Sequence, residues 1–315
     1  MSETHFALLR GVRYAWVAGP TPDPSPFDEY IASEGGFAKQ IPLPPPYPEA
    51  QPTLSHPSPP DGEGPGERSA PLLFLHGFTG SKTNWLPFMA QFPGQHCLAI
   101  DLLGHGETES PADPARYAIE EAAADLDAFC AQLGVQNLDV CGYSLGGRLA
   151  LYFALAYPQR VRRLILESAS PGLASEAERL ARRQSDAALA ERIERDGLPA
   201  FVDYWEQIPL FASQTGLPAE IRQRLRAQRL QNNPTGLANS LRGMGTGAQP
   251  SLWPRLAELK MPVSLLAGEL DLKFSAINRQ MADLIAGCRL EIVPNAGHTV
   301  HLEQMQMFCD LVAQI

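Results

Sequence analysis

Lysine is scarce in this chain. Lys39, Lys82, Lys260 and Lys273 are the only four among 25 basic residues, and 35 acidic residues leave a formal net charge of −10. A field of that sign repels phosphate backbones, which excludes nucleic acid as a partner. Long apolar runs are also missing: nothing approaches the roughly 20 consecutive apolar residues that cross a bilayer. The start, Met1-Ser-Glu-Thr-His-Phe6, lacks the basic and apolar regions of a signal peptide. No membrane span and a cytoplasmic location are therefore expected. The five cysteines (Cys97, Cys130, Cys141, Cys288, Cys309) are odd in number and include no C-x-x-C spacing. That pattern suits reduced core thiols and suggests neither disulfides nor a metal centre, and no cofactor is expected.

Arginine makes up the balance of the basic residues, and ten arginines fall between Arg179 and Arg242. Most fit a solvated helical surface; any that face inward would be suited to gripping carboxylates in pairs. Proline is concentrated instead of spread. Fifteen of the 29 prolines lie between Pro20 and Pro71, where fixed φ and missing donors oppose both helix and sheet. Residues 20–70 read as a proline-rich, disordered insertion, or alternatively as a ligand for a proline-reading domain through Pro42-Leu-Pro-Pro-Pro46.

Around that insertion the chain alternates strand with helix. Residues 10–19 alternate well enough for an edge strand that opens the core (1–19). Apolar strands follow at Pro71-Leu-Leu-Phe-Leu75, Gln95–Ile100, Leu138–Cys141 and Val161–Glu167 (core, 71–172), then at Val263–Asp271 and Cys288–Val293 (core, 251–315). Helices are expected at about 84–92, 117–133, from Leu145, and at 302–315. Residues 173–250 show only amphipathic helices, broken by Gly197, Pro209, Pro218 and Pro234. The expectation is an α/β fold: a mostly parallel sheet covered by helices on both faces, with a helical cap after the sixth strand.

Chemistry in such sheets collects at the carboxyl ends of strands. Gly142-Tyr143-Ser144-Leu145-Gly146 follows a strand and opens a helix, which is the context of a nucleophile elbow. Asp271 and His298 follow later strands, and the order serine, aspartate, histidine is that of α/β-hydrolases. His298 would accept the Ser144 proton and Asp271 would hold the imidazole tautomer. His301 rivals His298 but opens the last helix; Glu269 is the spare for Asp271. Backbone amides of Phe78, after His76-Gly77, and of Leu145 would form an oxyanion hole. His76 and His105 read as loop stabilisers. Arg148, one turn after Ser144, would lie beside the serine, where a plain esterase has little use for a charge.

These residues resemble a branch of the α/β-hydrolase superfamily, the 2-succinyl-6-hydroxy-2,4-cyclohexadiene-1-carboxylate synthases (MenH) of menaquinone biosynthesis. The likeness covers about Val12 to Gly19 and Pro71 onward. It is carried by Gly-Tyr-Ser-Leu-Gly-Gly-Arg148, Glu167-Ser-Ala-Ser-Pro-Gly-Leu173, Tyr204-Trp-Glu-Gln-Ile-Pro-Leu-Phe-Ala-Ser213 and Gln231-Asn-Asn233. The resemblance implies a lyase: Ser144, acting with His298 and Asp271, would take a carbon-bound proton, and pyruvate would leave. It also implies a small polycarboxylate substrate contacted by Tyr143, Arg148, Arg182, Trp205 and Arg229, with Arg183 the neighbour competing with Arg182. A carboxylesterase or carbon–carbon bond hydrolase working through an acyl-serine is the alternative. A non-catalytic binding protein on the same fold is the other.

Overall fold

The computed structural model describes residues 2–19 and 70–314. Within them, eight strands form one sheet: β1 (Thr4–Leu9), β2 (Val12–Ala18), β3 (Leu72–Leu75), β4 (Cys97–Ile100), β5 (Leu138–Tyr143), β6 (Val161–Glu167), β7 (Val263–Gly268) and β8 (Arg289–Val293). Their spatial order is β1-β2-β4-β3-β5-β6-β7-β8. The β1–β2 and β2–β4 pairs are antiparallel and the rest parallel.

The edge strand expected at 10–19 is corrected. Residues Arg10 and Gly11 form a tight turn at φ 48° and 83°, and β1, not β2, takes the edge. Two successive positive φ values match the twist that joins strands through a two-residue hairpin.

The central strands β3 and β4 are buried on both faces, which is why they read as unbroken apolar runs. In β3, Leu73 and Leu75 pack with Phe129, Leu149 and Met281, whereas Leu72 and Phe74 pack with Phe88, Val300 and Phe308 on the opposite face. The covering helices are α1 (Leu86–Met89), α2 (Ile119–Gln132), α3 (Leu145–Ala156), α7 (Leu272–Leu284), α8 (Val300–Glu303) and α9 (Met305–Ala313). The helix expected at 84–92 is shorter, a 3-10 turn at Lys82–Trp85 leading into α1. The one expected at 302–315 is two helices, parted at Gln304 where φ is −137°.

Between β6 and β7 lies a helical cap of α4 (Glu176–Trp205), a 3-10 segment at Pro209–Gly216, α5 (Ala219–Arg229) and α6 (Pro234–Met244). Ser175 and Glu178 close a reciprocal capping box at the start of α4. Gly197, at φ 81° and ψ 166°, breaks α4 in two. The cap has its own apolar centre, in which Ile193, Phe201 and Val202 meet Leu237 and Leu241. Among the described residues no helix is long and apolar enough to cross a membrane.

The proline-rich stretch at 20–69 lies outside the described residues. Its flanks are close together. The Gly19 amide donates to Cys97 O at 2.8 Å, the Leu72 amide to His96 O at 2.8 Å, and Gln95 Nε2 to Ala70 O at 2.7 Å. A short turn can therefore join Gly19 to Ala70. That shortened protein is expected to retain full activity, since each doubling of loop length costs only about 0.6 kcal/mol. A folded but inactive product in the same turnover assay would refute this.

Candidate active site

Ser144 sits between β5 and α3 at φ 52° and ψ −107°, a conformation that costs a non-glycine residue about 1–3 kcal/mol. The surroundings enforce it. Its amide donates to Glu167 O at 2.9 Å, and its carbonyl accepts from the Arg148 amide at 2.9 Å. A Cβ on Gly142 would meet Gly146 O at 2.5 Å, so only glycine there lets the strand and the helix start approach this closely.

His298 and Asp271 converge on the serine. His298 Nδ1 lies 2.6 Å from Asp271 Oδ2, and its Nε2 lies 3.0 Å from Ser144 Oγ. The carboxylate can only accept, so Nδ1 carries the proton and Nε2 is left to accept from the hydroxyl. Both partners of the serine are buried. Asp271 is also fixed from behind, because it caps α7 by accepting from the Phe274 amide at 3.2 Å. The competing residues go elsewhere: Glu269 accepts from the Asn295 amide at 3.3 Å, and His301 binds Glu167. Among the described residues, no hydrogen bond uses the Phe78 or Leu145 amide. Two free amides beside a strained serine can stabilise a developing oxyanion.

His76 and His105 support the loops after β3 and β4. His76 Nδ1–H donates to Gly77 O at 2.8 Å while Nε2 accepts from the Leu102 amide at 3.0 Å. His105 Nδ1–H donates to Leu103 O at 3.1 Å. Burial pulls the His76 imidazole down to about 4 and that of His105 down to about 3. Each is neutral when folded but takes a proton in the unfolded chain near pH 6.5, so the stability they confer is complete above that pH. It falls as the pH drops from about 6.5 toward about 4, by up to about 1.4 kcal/mol per pH unit per group. Thermal melts between pH 7 and 5 should show this slope, and His105→Asn should flatten it; an unchanged slope in the variant would contradict the account.

The arginines divide into two kinds. Arg148 is buried, and its Nη1 donates to Met244 O at 2.9 Å and Gln249 Oε1 at 2.6 Å. Among the described residues, no carboxylate forms a salt bridge with it. Burial, then the charge of Arg182, brings its guanidinium down to about 10. Arg229 is paired: it donates to Glu206 Oε1 at 3.0 Å and to Gln214 Oε1 at 3.4 Å, and it lies over the Phe211 ring. Arg182 binds Asp186 at 2.7 Å, whereas Arg183 turns to Glu176 and Gly247 O.

His76, Phe78, Tyr143, Phe211, Gln214 and Arg229 line one cavity. Arg148, Arg182 and Trp205 are not in its wall. Trp205 packs edge-on to Phe78 with ring centroids 5.4 Å apart, and its Nε1–H is buried without a partner among the described residues.

Sequence reasoning assigned no role to several residues that shape the site. Asn232 ties the cap to the loops below, donating to Thr79 O and accepting from the Gly106 amide, each at 2.9 Å. Gln249, which holds Arg148, gave no local signal because a glutamine in a helical cap is commonplace, and Glu206, which holds Arg229, stood inside a quoted motif without a role of its own. Lys82 did leave a trace as one of four lysines. It is buried between Asp101 Oδ2 at 2.8 Å and Glu107 Oε2 at 2.6 Å, locking the loop after β4.

This topology and serine–histidine–aspartate geometry define an α/β-hydrolase, and the α/β-hydrolase fold family matches residues 70–304. A Bacillus subtilis (strain 168) protein, named provisionally as a 2-succinyl-6-hydroxy-2,4-cyclohexadiene-1-carboxylate synthase, is 50% identical over 80% of this chain and 92% of its own length. The synthase of that name from Serratia proteamaculans (strain 568) is 36% identical over 77% of this chain and 92% of its own. The solved structure of MenH from S. aureus superimposes with a TM-score of 0.76 at 39% identity, covering 80% of this chain and 95% of the other. The chain belongs to the 2-succinyl-6-hydroxy-2,4-cyclohexadiene-1-carboxylate synthase (MenH) family of α/β-hydrolases.

Proposed function

We propose that the protein catalyses the reaction its relatives are named for. It eliminates pyruvate from 2-succinyl-5-enolpyruvyl-6-hydroxy-3-cyclohexene-1-carboxylate to give 2-succinyl-6-hydroxy-2,4-cyclohexadiene-1-carboxylate, a lyase step of menaquinone biosynthesis. The observation that carries this reading beyond the fold is Arg148. Its buried guanidinium hydrogen-bonds only to neutral oxygens, and Asp186 offsets part of its charge without bonding to it, so a ligand carboxylate would complete the site. A neutral ester has nothing to offer it.

In this reading Ser144 is a base toward carbon. His298 Nε2 accepts the hydroxyl proton, Asp271 stabilises the resulting imidazolium, and the serine oxygen takes the ring-carbon proton. Negative charge develops on the conjugated oxygen of the substrate, where the unbonded Phe78 and Leu145 amides would hold it. Breaking the carbon–oxygen bond to the enolpyruvyl group then expels the enolate of pyruvate, which takes up the proton held by His298 and ketonises to pyruvate, leaving Ser144 and His298 as they began. Arg148, Arg182 and Arg229 would bind carboxylates, with Glu206 displaced from Arg229. Tyr143 packs beside His298, and Trp205 backs Phe78, so both would shape the substrate's surroundings. Adding the enolpyruvyl substrate to the purified protein and measuring pyruvate is the test. No pyruvate from a protein whose Ser144 is reactive would sink the reading.

A further inference from the structure

Glu167 is the last residue of β6 and is wholly buried. Its backbone oxygen receives the amide of Ser144, one of the bonds that hold the nucleophile in its strained conformation. Its carboxylate reaches in the other direction. Oε1 accepts from the His301 amide at 3.0 Å, and His301 Nδ1–H lies 2.8 Å from Oε1 and 2.9 Å from Oε2. Among the described residues, no lysine or arginine forms a salt bridge with this carboxylate; its ionic partner is His301. One residue thus bonds both to the nucleophile and to the segment that carries the base, since His301 follows His298 by three positions.

The surroundings are aromatic. The His301 ring lies 4.8 Å from Trp85, 5.3 Å from Phe88 and 4.8 Å from Tyr143, and Tyr143 in turn is 5.5 Å from the His298 ring. Hydrocarbon side chains would fill this space without the desolvation cost of a carboxylate and an imidazole. What they would lack is direction.

Other carboxylates near His298 do different work. Asp271 orients the ring. Glu303 shapes the loop locally, accepting from the Gly297 amide at 2.7 Å and the Thr299 amide at 3.2 Å. Neither ties the loop to the elbow between β5 and α3. The helix following the loop, α8, is only four residues long and offers little rigidity of its own.

We propose that Glu167 and His301 form a positioning pair that fixes the separation of Ser144 and His298. The inference rests on the catalytic assignment above. Proton transfer needs a Ser144 Oγ to His298 Nε2 distance near the observed 3.0 Å, so a loop released from β6 loses rate before it loses binding.

The test uses Glu167→Gln and His301→Phe in the full chain, with two readouts. The first is the rate of Ser144 labelling by an alkyl fluorophosphonate: Oγ attacks phosphorus, the phosphorus–fluorine bond breaks, fluoride leaves and His298 takes the hydroxyl proton. The second is kcat and KM for pyruvate release. Both variants are expected to lose about tenfold or more in labelling rate and in kcat. KM should stay within about twofold, the signature of lost transition-state geometry with substrate binding intact. Folded variants that label at the wild-type rate would overturn the proposal, as would a rise in KM at unchanged kcat. Failure of both variants to fold would overturn it too, because the pair would then be a core element. If the wild type releases no pyruvate, the lyase reading fails while labelling still decides the role of the pair.

Discussion

Replacement of Ser144 by alanine is expected to lower pyruvate release by a factor on the order of 10⁴ or more, because a residue acting as a unit with its base takes most of the unit's effect with it. That loss is common to a lyase and to an esterase, so the mutant must be paired with an isotope. Deuterium at the ring carbon that loses its proton should slow the wild-type enzyme, and intact-mass measurement after rapid quenching should find Ser144 unmodified. An esterase gives the opposite pair of results, since it attacks a carbonyl and passes through an acyl-serine. The 3.0 Å contact with His298 serves either path equally. The fate of the substrate hydrogen and the state of Ser144 separate them. An acylated Ser144 with no isotope effect on the enolpyruvyl substrate would end the lyase mechanism.

Arg148→Met is expected to damage pyruvate release by about 1.5–3 kcal/mol, or roughly 10- to 150-fold, while leaving hydrolysis of a small neutral ester nearly unchanged. Methionine keeps most of the apolar stem that packs in α3. It abandons Met244 O and Gln249 Oε1, so the thermal midpoint should fall as well. The two effects are separable because stability acts on both substrates alike. Equal kinetic losses for the polycarboxylate and the neutral ester would make Arg148 a structural residue.

The parallel part of the fold was legible because burial on both faces leaves no polar alternation to confuse. Leu72–Leu75 and Cys97–Ile100 are apolar throughout, and both lie inside the sheet. The serine, aspartate and histidine were legible for a related reason: each lies in the turn or loop past the end of a strand, where a polar residue has no packing duty. β1 was missed because its exposed Leu8 and half-buried His5 blur the alternation of an edge strand. The direction of Arg148 was not legible either. Helical spacing places its backbone one turn from Ser144, but a long side chain goes where its acceptors are, and these come from α6 and the loop beyond it. Glu167 carried a signal in plain view, a charged residue ending a buried strand. Reading that signal required knowing that His301 would fold back onto it.

The two rims of the sheet have unequal freedom to change. Ser144, Glu167, Asp271 and His298 lie at or just past the carboxyl ends of β5 to β8, whereas Gly19 and Ala70 meet the opposite rim, beside the start of β4. Lineages can lengthen or trim the chain at that far rim without the reaction chamber registering it. The same junction is a splice point for an engineer. A fluorescent domain inserted between Gly19 and Ala70 would report on whether β2 and β3 have docked, and so on folding in living cells, while the enzyme beneath it kept working.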